Sequence, residues 1–161
     1  MSDAPADSSS PAFMLDTNVF SRVLDGVLPV PNKAGRRFLV LGVQADECQA
    51  TRAPARRAGL LRVMEEVAPG LCAATSFCIG IEGAGLGQAH WNDGTGRFNV
   101  MLARLKALDP KPPRKDANQI RDIVIAETAL KLGATLVSDD VALRAVMTEF
   151  GGIAVASAHL A

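Results

Sequence analysis

The stretch "NQIRDIVIAETALKLGATLVSDD", residues 118 to 140, decides the fold class. Ile120, Ile123, Val124, Ile125, Ala126 and Leu130 give its first part a broad apolar surface at helical spacing. Gly133 is placed to end that helix in the left-handed conformation, which glycine adopts without steric cost. "ATLVSDD" then reads as a short buried strand that ends in Asp139 and Asp140. A helix running straight into an apolar strand suggests a parallel, helix-covered sheet.

The same alternation continues in both directions. "AFMLD", residues 12 to 16, is a strand ending in Asp16, followed by a short helix "NVFSRVL" closed by Asp25-Gly26. "RRFLVLG" reads as a second strand and "VQADECQA" as the helix after it. Pro54 suits the first turn of "PARRAGLLRVMEEV", where Leu60, Leu61, Val63, Met64 and Val67 lie near 3.6 spacing. "FNVMLARLKAL" is a helix stopped by "DPKPP"; "VALRAVMTEFGG" is another, and "IAVAS" closes the chain as a short strand. The expected architecture is α/β: a single three-layer domain whose central, mostly parallel sheet of about four to five strands is covered by helices. Residues 76 to 97 resist this reading. "CIGIEGAGLGQAH" fits neither G-x-x-x-x-G-K-[ST] nor G-x-G-x-x-G, so over residues 80–96 a loop or close helix crossing is expected rather than a phosphate cradle.

At 161 residues the chain suits one domain, and 48% hydrophobic with 21% charged residues is a globular composition. Residues 1–11 are small, polar and acidic, so a disordered tail is expected there and the folded domain over 12–161. The tail lacks the basic start and apolar core of a secretion signal, and no apolar run nears the roughly 18 residues of a membrane span. A cytoplasmic protein without membrane contact is the expectation. Cys48, Cys72 and Cys78 form no C-x-x-C pair, and His90 and His159 sit near none of them at zinc-ligand spacing. Buried, inert thiols are expected.

A formal net charge of zero excludes a strongly basic DNA-coating protein. Cations nevertheless gather locally: Arg97, Arg104, Lys106, Lys111, Arg114, Lys115 and Arg121 in one run, and Arg52, Arg56, Arg57 and Arg62 in another. By itself either run is a solvated helix face. Beside an acidic centre that receives a polyanion, such runs become phosphate contacts.

An acidic centre is what the strand ends suggest. An Asp after a strand is often only a helix cap, and Asp16 taken alone would read that way. In open α/β sheets, however, ligands bind at the carboxyl ends of the strands. Asp16 and the Asp139–Asp140 pair end strands, Glu47 lies near the start of the helix after the second strand, and Asp122 lies in the first turns of the helix before "ATLVSDD". Four segments thus converge acids on one rim. Like charges held close resist joint ionisation, and a divalent ion with oxygen ligands, Mg²⁺ or Mn²⁺, resolves the conflict.

"MLDTNVFSRVLDG", "VQADECQATR" and "IRDIVIAETALKLGATLVSDDVAL" together resemble the PIN-domain ribonucleases, most nearly the VapC-type toxins of bacterial toxin–antitoxin pairs. The resemblance covers residues 12 to about 145 and is weak in the middle third. It implies Asp16, Glu47, Asp122 and Asp140 as the family's carboxylates, with Asn18 and Ser138 supporting them. Asp16, Asp122 and Asp140 would hold the metal directly or through water, and Glu47 would hold a water on it or accept its proton. The implied reaction is hydrolysis of single-stranded RNA, with a cognate antitoxin protein and a homodimer as implied partners. Asp46, Asp139 and Asp116 neighbour the matched acids and compete for the register, and Asp116 in "DANQ" reads better as a helix cap. Arg114, Lys115 and Arg121 are the nearest cations for RNA. A haloacid-dehalogenase-type phosphatase needs a second Asp where this chain has Asn18. A receiver domain has no place for the D-x-x-I-A-x-T-A helix, and all four acids argue against a catalytically silent binding module, while a housekeeping RNA-binding protein of the same fold stays as the alternative to a toxin.

Overall fold

The computed structural model describes residues 9–70 and 95–161. Residues 1–8 of the expected tail, positions 80–94 of the glycine-rich segment, Cys72, Cys78 and His90 lie outside them.

β1 (Ala12–Leu15) lies inside a four-stranded sheet with β2 (Arg37–Leu39), β3 (Thr135–Val137) and β4 (Ala154–Val155), in the order β2-β1-β3-β4 and parallel throughout. Phe13 faces Phe38 on one side and Thr135 on the other, and Val137 stands opposite both Leu15 and Val155. The period of two sends alternate side chains into two cores. Ala12, Met14 and Leu136 pack against α4 (Arg97–Leu108), α5 (Asp116–Lys131) and α6 (Val141–Glu149). Phe13, Leu15 and Val137 pack against α1 (Thr17–Leu24) and α3 (Pro54–Val67). Three layers result. Both faces are covered, which is why the strands are apolar runs and not alternating ones.

The helices form where the sequence places their apolar stripes. α3 starts on Pro54 and buries Leu60, Val63, Met64 and Val67. α5 is buried continuously from Ile123 to Ala129 because it packs between α4, α6 and the sheet. Gly133, at φ 65°, ends it as expected. α2 (Gly42–Gln49) differs: Val43 enters one core and Cys48 the other, so it lies across the sheet end and carries no single apolar stripe. Among the described residues, no helix is long and apolar enough to cross a membrane.

Three expectations need correction. The second strand is shorter than "RRFLVLG": β2 ends at Leu39, and α2 begins at Gly42 after Leu41, which is still extended (φ −104°, ψ 159°). Glu47 therefore sits in the second turn of α2, not at its start. Asp116 does not cap α5. A 3-10 turn, Pro113–Lys115, runs directly into the helix, so Asp116 already has helical angles (φ −56°, ψ −40°) where a cap needs an extended residue. Its carboxylate instead meets the Lys106 ammonium at 3.3 Å.

The chain leaves β1 for β2 on one side and returns to β3 on the other. The carboxyl ends of β1 and β3 thus flank the topological switch point, where open sheets leave a crevice.

Candidate active site

Asp16 follows β1 directly, and its N–H donates to the Val137 carbonyl at 2.8 Å, which fixes it against the end of β3. It stands at the N-terminal boundary of α1, but its carboxylate makes no capping bond. The carboxylate accepts from the buried Ser138 Oγ at 2.8 Å instead. Ser138 Oγ also accepts from the Asp140 N–H at 3.1 Å, so one hydroxyl ties the two strand ends together. Only 4% of Asp16 is exposed. That burial, with Asp140 and Asp139 adding repulsion, raises its pKa against the lowering bond from Ser138.

Glu47 is brought to the same place by Gln44. The Gln44 side chain, wholly buried, accepts from Leu41 N–H at 2.8 Å and donates to the Leu15 carbonyl, pinning the first turn of α2 to the end of β1. Glu47 lies three residues on and so shares that helix face. Thr17 Oγ1 donates to Glu47 Oε2. Desolvation and the Asp16 charge raise the Glu47 pKa, opposed by Thr17 and Arg121.

Asp122 is delivered by the second turn of α5. Its pKa is pushed up to about 8, first by desolvation and then by the charges of Asp16, Glu47 and Asp140, with Lys111 opposing. Asp140 begins α6. One oxygen caps the helix by accepting from Leu143 N–H at 3.0 Å, which turns the carboxylate toward the crevice. Its neighbour Asp139 points elsewhere: it accepts from Ser157 N–H at 2.9 Å, from Ser157 Oγ at 2.6 Å and from Arg22 at 2.8 Å.

Asp16, Glu47, Asp122 and Asp140 line one polar cavity of about 280 Å³ with Thr17, Asn18, Lys111 and Asn118. Among the described residues, no three acidic, histidine or cysteine side chains are gathered into a ready ion cage. The acids share a space but stand apart, as repelling carboxylates do. The donors suit a hard cation in two respects. They are all oxygen, and the cavity is several times the ~30 Å³ that one water occupies, enough for an ion that keeps waters.

Arg114 and Lys115 are exposed on the 3-10 turn and do not line the cavity. Arg121 lines an adjoining hollow with Asp46, Glu47, Ala50 and Asn118. Of the other cationic run, Arg56 is paired with Asp25 at 2.7 Å and Arg57 donates to the Thr51 carbonyl. Sequence reasoning missed the parts played by Thr17, Gln44, Lys111 and Asn118. Asn118 had a signal, since it lies four residues before Asp122 on the same helix face. Cys48 is buried with its thiol pushed up to about 11 by desolvation and then by Glu47, an inert cysteine as expected.

Among solved structures, the chain is similar to VapBC-5 from Mycobacterium tuberculosis, a member of the VapBC family of toxin-antitoxin systems. Identity is 20% and the TM-score 0.43, with 90% of this chain and 96% of that one covered. No protein-family model and no curated protein matches the chain.

Proposed function

We propose that this chain is a divalent-metal-dependent endoribonuclease of the PIN-domain type that hydrolyses single-stranded RNA, acting as the toxin of a toxin–antitoxin pair in the cytoplasm. One observation carries the reading: four carboxylates from four chain segments face a single cavity at the switch point, and burial and mutual repulsion raise three of them. Such strain has a use when a cation and a phosphodiester enter together. The sequence motifs around these acids supply the RNA and toxin part of the proposal. The domain is taken as residues 12–161.

Asp16, Asp122 and Asp140 would hold Mg²⁺ or Mn²⁺, with Glu47 completing the set. When bound, the ion supplies charge stabilisation for the phosphorus oxygens and makes water more acidic. Ser138 keeps Asp16 in place, and the cap to Leu143 keeps Asp140 in place, so neither must reorganise. Glu47, with a raised pKa and one oxygen held by Thr17, is suited to take a proton from an attacking water. Arg114, Lys115 and Arg121 would contact the strand beyond the cavity.

The test is cleavage of a panel of single-stranded RNAs with Mg²⁺ or Mn²⁺. Chelation should abolish it, and Asp16→Asn should lower it by more than about 100-fold with the circular dichroism spectrum unchanged. Cleavage that persists in chelator, or full activity of Asp16→Asn, overturns the reading.

A further inference from the structure

We infer that Lys111 is the residue that receives the phosphate of the substrate, an assignment that rests on the nuclease reading and names its anion contact. Among the described residues, Lys111 is the only cation that lines the acid cavity. Its place is set by the backbone. Pro110 precedes it and Pro112 follows it, so the loop "DPKPP" has little freedom in φ, and Lys111 itself is steered to extended angles. The loop is also tied to the helix that bears Asp122: the buried Gln119 of α5 donates to the Asp109 carbonyl at 2.8 Å.

The ammonium is held but not spent. It pairs with Asp109 at 2.8 Å outside the cavity, and 30% of its side chain is exposed. Phosphate approaching four carboxylates meets repulsion that the bound ion offsets only in part, so a second positive group in the same space has a clear use. Arg114 and Lys115 line no part of that space, and Arg121 opens on the neighbouring hollow.

The rival role is a counter-ion that merely quiets the acids. The two roles move different quantities. Removing a positive charge near a divalent ion leaves its affinity equal or tighter. Removing a phosphate contact weakens RNA binding and reduces the salt slope by about 0.7. Mn²⁺ affinity is read by calorimetry on the full chain and on Lys111→Gln. RNA affinity is read with a single-stranded oligoribonucleotide in the Asp16→Asn background, with and without Lys111→Gln. The expected result is RNA binding about tenfold weaker, the salt slope reduced, Mn²⁺ binding no weaker, and affinity mostly restored by Lys111→Arg. Unchanged RNA affinity with tighter Mn²⁺ binding overturns the phosphate role and leaves the nuclease reading standing. If even the Asp16→Asn protein with native Lys111 holds no RNA and the unsubstituted chain cuts none, both readings fall together.

Discussion

Two sets of acids in this molecule behave oppositely, although the side chains are alike. On the outer surface Asp25 is paired with Arg56 and Glu149 with Arg104, and those hydrogen bonds hold both carboxyls below the usual range. Asp139 is partly buried, which works against its charge, yet Ser157 and Arg22 outweigh the burial and it too is lowered. At the sheet's carboxyl rim Asp16, Glu47 and Asp122 are all raised, desolvation leading in each case. The chain has 17 acidic and 17 basic charges, so cations are not scarce. They are distributed so that the rim is left undercompensated. That undercompensation is what the proposed divalent ion would relieve.

The sharpest way to break the comparison uses adjacent residues, because Asp139 is bound by Ser157 and Arg22 whereas Asp140 lines the acid cavity. Asp140→Asn should cost more than about 100-fold in RNA cleavage with little change in melting temperature, since Asn also caps helices. Asp139→Asn should do the reverse. It weakens a site with three hydrogen bonds, so stability should fall by about 1–3 kcal/mol while kcat/KM stays within a few-fold. A reversed ranking would put the rim in the wrong register.

The next effect is on stability, and pH gives its sign. Asp122 is raised from 3.8 to about 8, so between those values the folded metal-free protein holds a proton that the unfolded chain has released. Stability of the metal-free protein should therefore fall as pH rises from 3.8 toward 8 and level off above. Asp122→Asn removes that dependence. The variant should melt near the wild-type temperature at acidic pH and several degrees higher at pH 8, at about 2–4 °C per kcal/mol for a chain of this size. Mg²⁺ at 100 times its dissociation constant should stabilise the wild type by about 2.7 kcal/mol and the variant by much less. Thermal melts at several pH values with chelator or Mg²⁺ check both. A variant that melts lower throughout would mean that Asp122 is structurally satisfied.

How much of this was legible in the sequence follows from what each feature depends on. Short apolar strands followed within three residues by Asp need only local pattern, so the positions of Asp16 and Asp140 beyond the strand ends and the α/β class were readable. The motif match favours Asp140 and leaves Asp139 as its rival in register; what separates them physically, Ser157 folding back onto Asp139, comes from the far end of the chain. Asp116 misled because a Pro-led 3-10 turn supplies helical angles one residue early. α2 hides its own geometry: with apolar residues facing two cores, nothing in its periodicity predicts that Gln44 will clamp the Leu15 carbonyl. Lys111 looked like one cation among seven. Its distinction is a loop path between three prolines, which composition does not trace.

The smallest expected effect lies at the cations just outside the rim. Arg114 and Lys115 are exposed on the turn that leads into α5, within a few residues of Lys111 but not in the cavity. Contacts made there would be to phosphates away from the cleaved bond, and they would carry no sequence information. Arg114→Ala with Lys115→Ala should reduce the salt slope of RNA binding by up to about 1.4, two contacts at about 0.7 each on a single strand. At low salt the affinity loss should be similar for unrelated sequences, and kcat should not move. Mn²⁺ affinity should be untouched, since neither side chain lines the cavity. An unaltered slope would return these two residues to the solvated surface and leave Arg121, through the hollow that shares Glu47 and Asn118 with the acid site, as the candidate contact beyond the cavity.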